Sequence, residues 1–260
     1  MESRALNEVA APGGSAAALL RRLNALSPIA EAEGEMLRSL AEAHIRHAAP
    51  REDMVSEGEK PDGVRMILSG WACRYKHLED GRRQIIAFFL PGDLCDNHVF
   101  VLREMDHSVG TLTPVTFAQI PRRRIEEITL SHPRVTQALW WESLVGSAIQ
   151  REWIVSLGQR DALERMAHLL CELFLRLRAV GLAEENRCEL PLTQAELADA
   201  MGLSTVHVNR TLQELRAAKL IILKGRTLTI PDLEALQSAA QFNPSYLHLD
   251  HEGQHLDAND

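Results

Sequence analysis

Two short amphipathic segments joined by a glycine, near the C-terminal end, constrain the fold of this chain more than any other stretch. They read LTQAELADAMGLSTVHVNRTLQEL, residues 192–215. Thr193 and Glu196 have the order of a capping box, which begins a helix of about two turns. Gly202 fits a tight turn, and Ser204 can cap the next helix. The pattern predicts a helix-turn-helix.

The residues that follow predict a β-hairpin. The stretch LIILKGRTLTI, residues 220–230, is apolar and β-branched on both sides of Lys224-Gly225. Glycine takes the positive φ that such a turn needs. A helix-turn-helix followed by a hairpin predicts a winged helix.

The second helix of this motif has two distinct faces. Val208, Leu212 and Leu215 stand at i, i+4 and i+7, so we expect them to face the core. This leaves a mostly polar set outward, where a major groove could be contacted: Thr205, Val206, Asn209, Arg210 and Gln213. The guanidinium of Arg210 can donate two hydrogen bonds to the edge of a guanine, and the side chain of Val206 could contact a thymine methyl group.

The charge of the chain is distributed unevenly. The net charge is -8, yet residues 231–260 contain six acidic residues and no lysine or arginine. Residues 203–230 contain five basic residues and only Glu214 against them. The presented helix therefore lies in a basic stretch, which phosphates require whatever the total charge. The alternative is a winged-helix domain that binds other proteins, in which Arg210 is a solvated charge.

Bulk properties limit the class of protein. The 260 residues are 45% apolar and 25% charged, which fits a folded protein of one large or two medium domains. We expect a cytoplasmic protein without a membrane partner, because there is no apolar run of membrane length and no signal-peptide pattern. The four cysteines lie far apart, so we expect reduced structural thiols rather than disulfides or an iron–sulfur cluster.

The pattern of residues changes twice in the middle of the chain. Between residues 48 and 120, glycines separate short runs such as VRMIL and QIIAFFL, which predicts a small β-sandwich or barrel. Residues 135–157 then form a long helical pattern, on which four side chains recur near a 3.5-residue spacing: Trp141, Leu144, Ala148 and Val155. We expect this face to bury against a second subunit; an intrachain core helix is the alternative.

These patterns divide the chain into five parts and predict an α+β fold. The parts are a flexible N-terminal tail (1–27), a β-roll sensor domain (28–130), a dimerisation helix (131–157), a winged helix-turn-helix (158–236) and an acidic mobile tail (237–260). A break at Ser156–Arg160, followed by a capping box at Asp161 and Glu164, marks the expected domain boundary and hinge.

Together, the glycine-punctuated β-roll with its Pro91-Gly92-Asp93 turn, the long helix and the terminal winged helix resemble the cyclic-AMP receptor and fumarate-nitrate regulator (CRP/FNR) superfamily. The likeness covers roughly residues 30–232 and is most specific in the helix-turn-helix. It implies a dimeric regulator that is not an enzyme, with double-stranded DNA and RNA polymerase as partners. Arg210 matches the family arginine that contacts guanine.

The resemblance also assigns residues to DNA contacts. Val206 stands where many members have a glutamate. A carboxylate accepts a hydrogen bond from the amino group of cytosine and valine cannot, so we expect a changed base preference at that position. The expected base-contacting residues are Thr205, Val206, Asn209 and Arg210. The expected phosphate-contacting residues are Thr193, Ser204, His207, Gln213, Lys219, Lys224 and Arg226.

The predicted sensor pocket departs from the pattern of the cyclic-nucleotide-binding members. Those members end the loop after Pro-Gly-Asp/Glu with an arginine that takes the cyclic phosphate, whereas this loop ends in His107-Ser108. A mostly neutral imidazole has neither the fixed positive charge nor the two parallel donors with which arginine holds a phosphate. We therefore do not expect the pocket to bind cyclic AMP. The expected pocket residues are Gly92, Asp93, Cys95, His107 and Ser108, for an unknown small-molecule effector and with no certain cofactor.

An alternative class is a metal- or haem-binding sensor whose winged helix contacts proteins. Cys95, His98 and His107 could supply ligands, and His251–His255 satisfies H-E-x-x-H by letter. Gly253 weakens the helix which that zinc motif needs, and only five residues follow it. We therefore predict no metal site, and we find no pattern of catalytic residues.

Overall fold

The computed structural model describes residues 17–18, 20–22, 29–96 and 101–249. Helix α1 (Glu31–Glu42) leads into eight strands. These are β1 (Ile45–Ala48), β2 (Asp53–Val55), β3 (Gly63–Ser69), β4 (Ala72–His77), β5 (Arg83–Phe89), β6 (Leu94–Cys95), β7 (Ser108–Thr111) and β8 (Val115–Pro121). They form two antiparallel four-stranded sheets, ordered β1-β8-β3-β6 and β2-β7-β4-β5. The expected β-roll is confirmed.

Three helices follow the roll: α2 (Arg122–Ser131), α3 (Pro133–Gln159) and α4 (Ala162–Ala179). The predicted cap of α4 is present, since one carboxylate oxygen of Asp161 accepts from the backbone N–H groups of Leu163 and Glu164, each at 2.9 Å. Helix α3 continues past the expected boundary at 157 and through Gly158, because no clash or cap interrupts it there.

The winged helix completes the α+β fold. It contains β9 (Ala183–Glu184), β10 (Arg187–Glu189), α5 (Gln194–Met201), α6 (Thr205–Ala217), β11 (Ile222–Lys224), β12 (Thr227–Thr229) and α7 (Leu233–Ala239). Both predicted N-caps form, and Gly202 takes a φ of 63° between α5 and α6. Gly225 turns the hairpin between β11 and β12 with a φ of 58°.

One apolar core joins the roll to the winged helix. It includes Trp71, Ile85 and Phe88 from the roll together with buried side chains of α3, α4, α5 and α6. The rings of Phe88 and Trp153 meet edge to face with centroids 5.8 Å apart. Because burial of large aromatic side chains is strongly favourable, this contact holds α3 against β5 of the roll.

Parts of both expected tails are folded, which corrects the division of the chain. Residues 237–249 were expected to belong to a mobile tail, yet they include the end of α7 and a 3₁₀ helix, Pro244–Leu247. Leu247 is 3% exposed, so apolar burial outweighs the polar composition of this region. Near the other end, Ala18 and Leu20 are also buried. Of the two tails, residues 1–16, 19, 23–27 and 250–260 lie outside the described residues.

The exposed apolar face of α3 differs in phase from the expected one. Leu144 and Val155 are 61% and 47% exposed, but Ala148 is buried and Trp141 packs inside the subunit. A straight helix has 3.6 residues per turn, so a 3.5-residue spacing drifts off the true face. The observed face, the α3 stripe, consists of Trp140, Leu144, Ile154, Val155 and Leu157.

Among the described residues, no helix is both long enough and apolar enough to cross a membrane.

A pair of glycine substitutions tests the packing of the roll. A Cβ at Gly70 would lie 2.1 Å from the carbonyl oxygen of Pro114, whereas a Cβ at Gly58 meets nothing within 4 Å. Both residues have nearly the same positive φ, 82° and 84°. We expect Gly58→Ala to cost about 1–2 kcal/mol of unfolding free energy and Gly70→Ala clearly more. Urea unfolding measures both; equal losses would contradict the close approach.

Candidate DNA-binding surface and sensor cavity

Helix α6 is anchored by one face and leaves the other free. Val208, Leu212 and Leu215 are at most 2% exposed and belong to the core shared with α4 and α5. The Ser204 hydroxyl accepts from the backbone N–H of His207 at 3.2 Å. The cap and the apolar face together fix the rotation of α6, so its outward residues are held at defined positions.

Several outward residues of α6 are hydrogen-bonded to one another. Arg210 Nη2 donates to His207 Nε2 at 3.1 Å, and Arg210 Nε lies 3.6 Å from a carboxylate oxygen of Glu214. Gln213 Nε2 donates to Asn209 Oδ1 at 2.9 Å. Because a guanidinium only donates, His207 Nε2 is the acceptor in this contact. Arg210 is thereby held between two neighbours of its own helix.

Val206 is the most exposed apolar side chain of α6, at 79%. It lies in the first turn, next to Thr205, which is also exposed. An isolated apolar side chain among polar neighbours at a helix start could contact a thymine methyl but could not accept a hydrogen bond.

The residues expected to contact phosphates surround this face. Thr193, Ser204, Gln213, Lys219, Lys224 and Arg226 are exposed, and His207 is half-buried beside Arg210. Lys219 follows α6 with a φ of 58°, an unusual conformation for a non-glycine residue. The hydroxyls of Thr193 and Ser204 accept from helix N–H groups, which leaves their own O–H groups free to donate.

A cavity of about 420 Å³ lies between the roll and α3. Of the five residues expected there, Asp93 and His107 line it. The other three do not: Gly92 is a backbone turn, Cys95 is 2% exposed inside the roll, and the Ser108 hydroxyl accepts from the backbone N–H of Glu57 at 3.0 Å.

Six further charged residues line the cavity, and the sequence analysis did not find them: Arg22, Arg74, Asp96, Asp106, Glu142 and Arg176. Asp93 accepts from Arg176 at 2.7 Å, from Arg22, and from the backbone N–H of Leu90 at 2.7 Å. Arg22 also donates to Glu142 on α3 at 2.5 Å. These residues come from segments that are far apart in the sequence, so no local pattern could have signalled them.

His107 is held between two carboxylates. Its Nε2 lies 2.9 Å from Asp96 and its Nδ1 lies 2.6 Å from Asp106, while Arg74 pairs with the other oxygen of Asp96. Burial lowers the pKa of His107, but the hydrogen bond and charge of Asp96 outweigh it and raise the pKa above 6.5. Burial likewise opposes ionisation of Asp96, yet the hydrogen bond from His107 gives it a net lowered pKa.

The four cysteines are free, buried thiols. Burial raises the pKa of Cys73, Cys171 and Cys188 to about 12, and that of Cys95 well above its ordinary value. Metal ligation needs a thiolate, which burial disfavours here. Within the described ranges, no group of three or more histidine, cysteine or acidic side chains is arranged to hold a metal ion. His98 and the His251–His255 motif lie outside those ranges.

Two family models match the chain. A cyclic nucleotide-binding domain matches residues 45–132, and a Crp-like helix-turn-helix domain matches residues 164–239. The first match contains most of the roll, and the second contains α5, α6 and the wing.

Curated relatives match over most of the chain. It is 31% identical over 205 residues to the transcriptional activator protein FnrL of Cereibacter sphaeroides, which covers 76% of this chain and 80% of the relative. It is 30% identical over 195 residues to the nitrogen fixation regulation protein FixK of Rhizobium meliloti, covering 73% and 83%.

Solved structures share the fold. FixK2 from Bradyrhizobium japonicum superposes with a TM-score of 0.69 at 24% identity, covering 75% of this chain and 96% of that one. The regulator CLP of Xanthomonas campestris, described as c-di-GMP responsive, gives 0.60 at 19% identity and covers 76% and 98%.

The raised pKa of His107 predicts a pH dependence of stability. The folded protein holds this proton more tightly than the unfolded chain, so the stabilisation is complete below about pH 6.5 and is lost as the pH rises through the raised value. We expect the unfolding free energy to fall as the pH rises above about 6.5, and to fall less in His107→Gln. Urea unfolding with exposed His77→Gln as control measures this; equal slopes in wild type and His107→Gln would contradict it.

Proposed function

Because the chain belongs to the CRP/FNR family of transcription regulators, we propose that it binds an inverted-repeat operator as a homodimer, with α6 of each subunit in the major groove. DNA-binding transcription regulation is the function of the family, whose members are regulators rather than enzymes. The observation that carries the finer proposal is the outward set of α6, which is exposed and held in place by its own hydrogen bonds.

Four residues of α6 contact bases in this proposal. Arg210 takes the two acceptors of a guanine edge, the commonest specific contact in the major groove. Asn209 and Thr205 contribute polar contacts, and Val206 meets a thymine methyl. The hydrogen bond from Arg210 to His207 supports this assignment, because it presets the direction of the guanidinium before DNA is bound.

A ring of hydroxyl, amide and basic groups contacts phosphates. Lys219, Lys224 and Arg226 supply the charge, and the hydroxyls of Thr193 and Ser204 supply uncharged donors. His207 and Gln213 complete the set on α6. Phosphate contacts give affinity and salt dependence but no direct sequence choice. The basic balance of residues 203–230 supports this proposal despite the acidic total.

The α3 stripe is the proposed dimer interface. Trp140 and Leu144 are 67% and 61% exposed, and Ile154, about three turns after Leu144, is 70% exposed. Large apolar side chains in one stripe of a long helix are typical of a helix–helix interface. Two-fold symmetry through α3 places the half-site centres about 34 Å, or a multiple of it, apart.

Three further assignments belong to the proposal. The roll serves as the sensor domain, α3 as the dimerisation helix and the winged helix as the DNA-binding domain. RNA polymerase is the second macromolecular partner, as expected of relatives named as transcriptional activators. The protein acts in the cytoplasm, where the chromosome of a bacterial cell lies.

The effector of the cavity, where one is used, is a small molecule other than cyclic AMP. Arg22, Arg74 and Arg176 are each paired with a carboxylate, so a cyclic phosphate would have to displace an ion pair to gain a cation. His107, at the position of the family arginine, is itself engaged by Asp96 and Asp106. Breaking a buried ion pair leaves an uncompensated charge, which is costly.

Selection from random inverted repeats tests the DNA proposal. We expect the dimer to enrich one half-site sequence, and Arg210→Ala to relax the preference at one base pair by about 1–3 kcal/mol. Lys224→Gln is the matched control: it should weaken binding to all sequences alike and lower the salt slope by about one. A wild-type protein that enriches no sequence would overturn the proposal.

A charge placed in the α3 stripe tests the dimer. We expect Leu144→Arg to convert the protein to a monomer in analytical ultracentrifugation, because the interface would have to bury an unpaired charge. Leu130→Arg is the control, since Leu130 lies on α2 and is 86% exposed. The proposal fails if Leu144→Arg remains a dimer, or if Leu130→Arg dissociates to the same extent.

A further inference from the structure

Residues 240–249 continue beyond α7 and beyond residue 239, where the Crp-like domain match ends. They form what we call the C-terminal strap, which contains the 3₁₀ helix Pro244–Leu247 and contacts both α3 and α4. Phe242 and Leu247 are 8% and 3% exposed. The strap is therefore part of the packed structure.

The strap donates a hydrogen bond to a buried carboxylate. Tyr246 Oη donates to Glu172 Oε2 at 3.0 Å, and Trp153 Nε1 donates to the same oxygen at 3.0 Å. Glu172 is 0% exposed on α4, and Trp153 lies on α3. One carboxylate oxygen thus joins α3, α4 and the strap.

Ring contacts hold the strap at the same place. Tyr246 stacks on His168 of α4, with ring planes 16° apart and centroids at 5.8 Å, and Phe242 lies 4.7 Å from the same imidazole. His248 meets Trp141 of α3 edge to face at 5.2 Å. These contacts fix the position of Tyr246 relative to both helices.

The same carboxylate connects the strap to the sensor cavity. Glu172 Oε1 lies 3.3 Å from Arg176 Nη1, and Arg176 Nη2 lies 2.7 Å from Asp93 Oδ2. Asp93 and Arg176 both line the cavity. A continuous chain of charge-assisted hydrogen bonds therefore runs from the cavity wall through α4 to Tyr246.

We propose that Tyr246 is a positioning residue for DNA recognition, which sets the angle between the winged helix and α3 through Glu172 and couples that angle to the cavity through Arg176 and Asp93. This inference rests on the proposed function. In a dimer formed through α3, the angle of the winged helix determines the separation of the two α6 helices. The strap thereby selects the spacer between half-sites, whereas the bases within a half-site are selected by α6.

Competition binding on operators with one half-site sequence and three spacer lengths tests the proposal. We expect wild type to prefer one spacer and Tyr246→Phe to lose about tenfold of that preference, the effect of one hydrogen bond to a buried charge. Base preference within the half-site should not change. The chain has two tyrosines, so Tyr75→Phe, which removes a hydroxyl bonded to Asp53 on the roll, is the matched control. Unchanged spacer preference in Tyr246→Phe overturns the proposal.

A second experiment does not depend on DNA. In a double-mutant cycle, Tyr246→Phe and Asp93→Asn should lower the urea midpoint by less together than the sum of their single effects, because both act on one network. Additive effects would overturn the link between strap and cavity. A wild-type protein that binds no inverted repeat but shows this coupling would refute the proposed function and retain the network.

Discussion

The buried ion network of Asp93, Arg176 and Glu172 is the constraint on which the two halves of the molecule depend. Glu172 is 0% and Arg176 is 7% exposed, and they form an ion pair with Oε1 and Nη1 3.3 Å apart. Burial raises the pKa of Glu172 above its ordinary value, and the charge of Arg176 offsets part of that rise. Removing one member of such a pair costs about 3–5 kcal/mol. The network therefore requires α4 and the Pro91-Gly92-Asp93 turn to remain together.

This arrangement changes what a sensor cavity in such a fold can do. The groups that could hold an anionic ligand are already used to connect the roll, α3 and α4. Any molecule that enters competes with internal ion pairs, so its binding energy is coupled to the positions of these elements. The ion pairs of the cavity extend through Arg176 and Glu172 to Tyr246, and the apolar contact of Phe88 with Trp153 runs parallel to that network.

Local signals accounted for the elements that carry the DNA-binding surface. The caps at Asp161, Thr193 and Ser204 and the turns at Gly202 and Gly225 form as their sequence patterns predict, because each depends on residues within a few positions. The phase of the α3 stripe and the folded strap did not follow from local patterns. Both depend on which distant segment covers which side chain, as when His248 covers Trp141.

Periodicity, caps and turn residues were thus enough to indicate a β-roll, a long helix and a winged helix, and the outward face of α6. The count of charged residues along the sequence was enough to show that this face lies in a basic stretch. The cavity was different: Arg22, Asp93, Glu142 and Arg176 are far apart in sequence and meet only after the roll has packed on α3 and α4. Ion pairs between distant segments produce no periodic pattern in the sequence, because tertiary packing determines which residues become partners.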